Sequence, residues 1–274
     1  MDLDRRTRVA LPPNPVKEAL KLGQAVFGTM ISELRSPQIA QMMVVAGFEY
    51  IIVDMEHSNM NNETVADMIL GARAAGIVSI VRVPSSQDHL LSRPLDAGAQ
   101  GLLVPRLETR DQVEAVVRFS RYHPIGSRGA ALARAHSGFV KVDAGEYMRL
   151  ANERVLVAIQ VETGRAVANV DEMPSVPGID VAFIGPMDLS QSLGVPGEFD
   201  HPLMVDAIRK VIASSKRHGL AVGIHVARMD LLRKWYHEGM RMLTFSDEIK
   251  MIVETGSRFV DEIQGFVEAQ PTEP

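Results

Sequence analysis

Short runs of consecutive apolar residues, rich in Val and Ile, recur along the chain: "AVFGT" from 25, "YIIVD" from 50, "IVSIVRV" from 77, "GLLVP" from 101, "VLVAIQV" from 155, "VAFIG" from 181, "LAVGIHV" from 220 and "RMLTF" from 241. Most are apolar at nearly every position, the pattern of strands covered on both faces. Between them the apolar positions switch to helical spacing. "SPQIAQMMVVAG" predicts a helix with Ser36 as N-cap, Pro37 in its first position and Gly47 as its stop. "NETVADMILGARAAG" and "HPLMVDAIRKVIASSKRHG" likewise end on basic residues and glycine. Alternation of this kind demands parallel strands joined by right-handed crossovers, and eight repeats in about 250 residues predict a single closed (β/α)8 barrel. The barrel is expected over residues 16–268, with flexible ends at 1–15 and 269–274 and a short helix over Val16 to Leu22 lying under the fold. The connection from Arg106 to Arg154, between the fourth and fifth strands, exceeds one helix. It predicts a helix near Thr109 to Arg121, the stretch "HPIGSRGAALARAHSGF", and another short helix near Gly145 to Asn152.

Composition narrows what such a barrel does. A formal charge of −5 with no run of Lys or Arg leaves no electrostatic footprint for nucleic acid or an anionic membrane, so a small-molecule partner is expected. Charges and prolines occupy the N-terminal region where a signal peptide needs its apolar stretch, and no later run reaches membrane-spanning length without a charge. With no cysteine, disulfides, thiolate metal sites and cysteine nucleophiles are excluded. A cytoplasmic setting fits that composition.

Active sites of such barrels lie at the carboxyl ends of the strands. Reading those ends collects Asp54, Glu56 and His57 after the second strand, Arg82 after the third, Gln160 and Glu162 at the fifth, "GPMD" with Asp188 after the sixth, and His225 at the seventh. Glu162 and Asp188, on adjacent ends, can bind one divalent cation and leave its other positions to water and substrate, which suits Mg2+, Mn2+ or Co2+. The same residue types also serve as caps and buried structural pairs: capping or loop bonding suits Glu56, an ion pair suits Asp54 with Arg82, and His225 reads equally as a packed strand-end histidine. Convergence of acid, base, cation and paired carboxylates from distant strands favours catalysis. A Schiff-base route needs a lysine at a strand end, whereas Lys141, Lys210, Lys216, Lys234 and Lys250 fall in helices or loops.

The segments "VDMEH", "VRVP", "GLLVP", "HPIGSRG", "IQVET" and "FIGPMDLSQSLG", in this order and spacing, resemble the HpcH/HpaI class II pyruvate aldolases over roughly Leu22 to Ile263. The resemblance implies a barrel of the phosphoenolpyruvate/pyruvate type that reversibly cleaves a 4-hydroxy-2-keto acid to pyruvate and an aldehyde through a pyruvate enolate, with Mg2+, Mn2+ or Co2+. By motif, Glu162 and Asp188 match the metal ligands, His57 the base, and Arg82 the group facing the keto oxygen. Asp96, in "LLSRPLDAG", matches an aspartate that pairs with the catalytic histidine across a subunit contact. Gln160 and Asp54 fall with the substrate-binding residues, as do Gly185, Pro186, Met187 and Asp188, whose backbone matches the segment that holds the pyruvate carboxylate.

An oxaloacetate decarboxylase or a synthase of the macrophomate synthase kind would use the same enolate, and a barrel that binds a keto acid without turnover is the remaining alternative. A CoA-ester lyase on a related barrel is a further alternative, although this sequence shows no basic patch suited to the nucleotide. The last segment carries an apolar stripe, Ile252, Phe259, Ile263, Phe266 and Val267, broken at Gly256. By itself that stripe predicts an eighth barrel helix packed on its own barrel; the resemblance implies exchange with a neighbour in a homo-oligomer, a hexamer.

Overall fold

The computed structural model describes Leu11 and residues 13–268. Eight parallel strands close in sequence order into a barrel: β1 (Val26–Ile31), β2 (Tyr50–Asp54), β3 (Val78–Arg82), β4 (Gly101–Val104), β5 (Leu156–Val161), β6 (Val181–Ile184), β7 (Ala221–Val226) and β8 (Met242–Asp247). Each apolar run of the sequence is a strand. Helices α1 (Pro15–Lys21), α2 (Ile39–Val45), α3 (Asn62–Ala75), α4 (Asp88–Ala97), α5 (Arg110–Ser120) and α6 (Ala144–Arg154) precede β5; α7 (Gly164–Ala168), α8 (Pro186–Ser192), α9 (Pro202–Arg217), α10 (Met229–His237) and α11 (Glu248–Glu268) follow it. The long β4–β5 connection is built as expected, with α5 opened by a capping box at Thr109 and Gln112, and a single 3-10 turn at Ala135–Ser137 before α6.

Strand residues alternate between two cores. Inward-facing Val26, Met30, Tyr50, Ile52, Ile80, Ala158 and Phe183 fill the barrel together with Val16 and Leu20 of α1, which seals the floor. Their outward neighbours, among them Ile51, Val53, Val81 and Ile159, meet the helices. The interior is filled by rings that rely on glycine opposite them: a Cβ at Gly28 would lie 2.1 Å from the Tyr50 ring, and one at Gly223 would lie 2.6 Å from Phe183. This phase decides the site, because Asp54, Arg82, Gln160 and Glu162 continue the inward series past the last apolar layer.

Three local expectations change. α2 begins at Ile39 with Gln38 as N-cap, not at Ser36 and Pro37. Those residues form a tight turn in which Ile39 N–H donates to Ser36 O at 3.0 Å, and Pro37 sits against α3, where Gly71 leaves no room for a Cβ. Asn14 and Pro15, expected in a flexible leader, belong to the fold. Asn14 is buried, caps α1 by accepting from Lys17 N–H, and donates to the Gln100 and Arg154 carbonyls. Residues 1–10, 12 and 269–274, within the ends expected to be flexible, lie outside the described residues.

The third change is the largest: past its first turn, where Met251 meets the core, α11 does not pack on its own barrel. Its first residue, Glu248, is buried and accepts the Ser32, Glu33 and Leu34 N–H groups at 2.6–3.0 Å, pinning the loop after β1. Beyond it Ile252, Phe259, Ile263, Phe266 and Val267 are all at least half exposed. Among the described residues no helix is long and apolar enough to cross a membrane.

Candidate active site

The carboxyl ends of the strands surround a cavity of 720 Å³ lined by Met30, His57, Arg82, Gln160, Gly185 to Asp188, and His225, with Phe199 and Leu231 as apolar wall. An adjoining hollow of 560 Å³ is lined by Arg106, Glu108, Glu162, Thr163, Asp188, Gln191 and Ser192. Asp188 faces both, so the expected ligand pair lies where the two spaces meet.

Asp54 and Arg82 are partners in the β2–β3 register. The Arg82 guanidinium donates to both Asp54 oxygens, Nε to Oδ1 at 2.8 Å and Nη2 to Oδ2 at 2.7 Å, and Asp54 Oδ1 also accepts the Glu56 N–H at 2.9 Å. Burial opposes ionisation of Asp54, but the Arg82 bonds and charge outweigh it and hold the carboxyl below its ordinary range. Asp54 therefore does not line the cavity. It orients Arg82, whose Nη1 makes no bond to Asp54 and lies 3.5 Å from Glu56 Oε2.

Glu56 is a different residue from the one the sequence suggests. Its side chain is nearly buried, and Arg106 Nε donates to its Oε1 at 2.9 Å. Its Oε2 accepts no hydrogen bond and lies 3.5 Å from Arg82 Nη1 and 3.9 Å from His57 Nε2. The His57 side chain is about half exposed at the cavity rim. Asp96 does not reach it within this chain: Asp96, on α4, pairs with Arg128 at 2.5 Å, away from the cavity. Sequence reading also missed Arg106, whose only signal is its place directly after the end of β4 and Pro105.

Glu162 Oε1 accepts the Arg106 backbone N–H at 2.6 Å, and its Oε2 accepts from Gln160 Nε2. Burial pushes the Glu162 carboxyl up to about 7, and the charges of Glu56 and Asp188 act the same way against those hydrogen bonds. Gly185 makes the close packing possible, since a Cβ there would stand 2.7 Å from Glu162 Oε2 and 2.9 Å from Gln160 Nε2. The buried Oε1 of Gln160 has no partner. His225, with its pKa lowered by burial, is neutral at neutral pH, and its Nε2–H donates to Ser246 O at 3.0 Å, which leaves Nδ1 as an acceptor.

The charges do not balance. Asp54, Glu56, Glu162 and Asp188 supply four carboxylates, and Arg82 and Arg106 answer two of them. Neither Glu162 nor Asp188 forms an ion pair among the described residues. The other cations at the mouth are engaged, Arg228 with Asp200 and Asp230, and Lys250 with Glu254. Two oxygen-donor side chains without an ion-pair partner, one of which holds its proton up to about pH 7 when no cation is bound, suit a hard divalent cation that keeps several positions for water or substrate. No cluster of three or more His, Asp or Glu side chains forms a closed metal cage among the described residues.

A family model for HpcH/HpaI aldolase/citrate lyase matches residues 29–254, the whole of this barrel mouth included. The chain belongs to that family. It is 34% identical over 247 residues to the hydroxypyruvate/pyruvate aldolase of Roseobacter denitrificans, covering 89% of this chain and 95% of that one. It is 32% identical over 215 residues to the 5-keto-4-deoxy-D-glucarate aldolase of Klebsiella pneumoniae, covering 78% and 83%. Among solved structures, the HpcH/HpaI aldolase of Desulfitobacterium hafniense superposes with a TM-score of 0.87 at 29% identity, covering 94% of this chain and 98% of that one. Membership of the HpcH/HpaI family identifies an enzyme of the aldolase/lyase type.

Proposed function

We propose that this HpcH/HpaI member is a divalent-metal-dependent pyruvate aldolase that cleaves a 4-hydroxy-2-keto acid to pyruvate and an aldehyde, and runs the reverse addition. The observation that carries this reading is the unmatched acid pair, Glu162 and Asp188, beside a guanidinium with one donor to spare. Glu162 and Asp188 would hold Mg2+, Mn2+ or Co2+. When bound, such an ion accepts carboxylate and keto oxygens and stabilises negative charge as a Lewis acid. The protein supplies the rest. Met187 and Asp188 lie in the first turn of α8, where backbone N–H groups have no intrahelical acceptor, and there they would hold the substrate carboxylate with Gly185 and Pro186 shaping the approach. Arg82 Nη1 would donate to the C2 oxygen, and a fixed donor of this kind is worth about 3 kcal/mol in the transition state.

His57 would take the C4 hydroxyl proton as the C3–C4 bond breaks, leaving the aldehyde carbonyl and the bond's electron pair on the C2–C3 enolate, which is then protonated at C3 to give pyruvate. Asp96 would assist a neighbouring protomer's His57, a role that fits its partly exposed carboxylate. Coupled pyruvate detection with a panel of 4-hydroxy-2-keto acids tests the reading: release that stops in chelator and returns with Mg2+, Mn2+ or Co2+ is expected, and no release from any member would refute it. The exposed apolar face of α11 supports assembly into a homo-oligomer, a hexamer by family resemblance, and a monomeric mass by light scattering at micromolar concentration would contradict it.

A further inference from the structure

Arg106 is one of the non-glycine residues in the left-handed backbone region, at φ 59°. Such a conformation persists where its surroundings over-determine it, and it clusters at functional sites. Here it turns one residue onto two acids. The Arg106 N–H meets Glu162 Oε1 at 2.6 Å, and its Nε meets Glu56 Oε1 at 2.9 Å. The Arg106 side chain is 69% exposed while the Glu56 side chain is 5% exposed, so the guanidinium covers the acid from the solvent side.

The second oxygen of Glu56 is the informative one. Buried and without a hydrogen bond, it stands 3.5 Å from Arg82 Nη1, the terminal nitrogen that Asp54 leaves free. Deprived of Arg106, Glu56 has one close cation left, and closing on it would take that nitrogen from the substrate.

We propose that Arg106 is a positioning residue for the keto-acid site: by holding Glu56 through Oε1 it keeps Glu56 from closing on Arg82 Nη1, so that Arg82 remains open to the substrate oxygen and Glu56 Oε2 stays beside His57. This rests on the keto-acid reading of the mouth. It adds a guanidinium that need not touch substrate yet sets the geometry of one that does.

The test uses full-length protein with Mg2+ and pyruvate in D2O, following methyl deuteration by NMR. Arg106→Gly suits the left-handed backbone and keeps the N–H to Glu162 while removing the guanidinium. It should lose about tenfold or more in exchange kcat, keep Co2+ binding by absorption titration within about threefold, and melt no lower than wild type; Arg106→Lys should recover part of the loss. Glu56→Gln cannot pair ionically with Arg82, so adding Arg106→Gly to it should cost less than about twofold more. Wild-type exchange by Arg106→Gly, additive losses in the double variant, or a loss that tracks a lower Tm and weaker Co2+ binding would each overturn the proposal. If Arg106→Gly does not fold, Arg106→Lys and Arg106→Met carry the same comparison. No exchange by the wild type overturns the keto-acid reading and this proposal with it, whereas wild-type exchange matched by Arg106→Gly removes this proposal alone.

Discussion

The two ends of the barrel both hold buried charge, and they treat it in opposite ways. At the floor, Asp180 is met by Lys17 at 2.9 Å and Arg121 at 3.3 Å and accepts the Val157 N–H at 2.9 Å. Further donors are used as well: Lys17 Nζ on Val155 O, and Arg121 Nη1 and Nη2 on the Asn152, Val155 and Gly178 carbonyls. Burial brings the Lys17 ammonium down to about 8 against the pull of Asp180. At the mouth, four acids share two guanidiniums, and Glu56 Oε2 and Gln160 Oε1 accept no hydrogen bond. A closed network stabilises a fold, whereas an open one of the same residue types is poised for something the chain itself does not contain.

Substitutions at the two ends should therefore separate activity from stability. Glu162→Gln should lower turnover about a thousandfold, roughly 4 kcal/mol of transition-state stabilisation, while the metal-free Tm holds or rises because one acid leaves a crowded group. Asp180→Asn should do the reverse. Stranding Lys17 and Arg121 without their acid should cost about 3 kcal/mol of stability by denaturant titration and leave kcat near normal in the folded fraction. A stable, inactive Asp180→Asn or an unfolded Glu162→Gln would break the comparison.

A smaller effect follows from the pKa of Glu162. It is raised from 4.5 to about 7, so the metal-free native state binds a proton there that the unfolded chain has lost. The sign is therefore fixed: this group favours folding most below about 4.5, and that contribution is lost as pH rises through about 7. The same proton competes with a cation. Co2+ affinity should fall about tenfold for each pH unit below 7 and level off above it, and an affinity flat from pH 5 to 8 would remove Glu162 from the ligand set.

Much of this architecture is legible in the sequence, because continuous apolar runs and glycine-stopped helices are local signals. The strand ends are legible too, since a period of two carries Tyr50 and Ile52 on to Asp54, and Ala158 on to Gln160 and Glu162. What escapes is set by distance or by backbone hand. The floor network joins Lys17 to Asp180 across 163 positions and has no local pattern. Glu56 has the composition of a loop or cap residue, and its value emerges only when Arg106, 50 residues on, turns left-handed to reach it. The stripe on α11 is legible as amphipathic, but periodicity says that a face will be covered and not by which molecule.

On the proposed function, the open network at the mouth stabilises a pyruvate enolate with a divalent cation. Deuterium incorporation into the methyl group of pyruvate, without any aldehyde, measures that step directly. The claim predicts exchange in Mg2+, its loss in excess chelator, its return on adding metal, and no inactivation by borohydride in the presence of pyruvate. Undiminished exchange in chelator, or borohydride inactivation that depends on pyruvate, would contradict it.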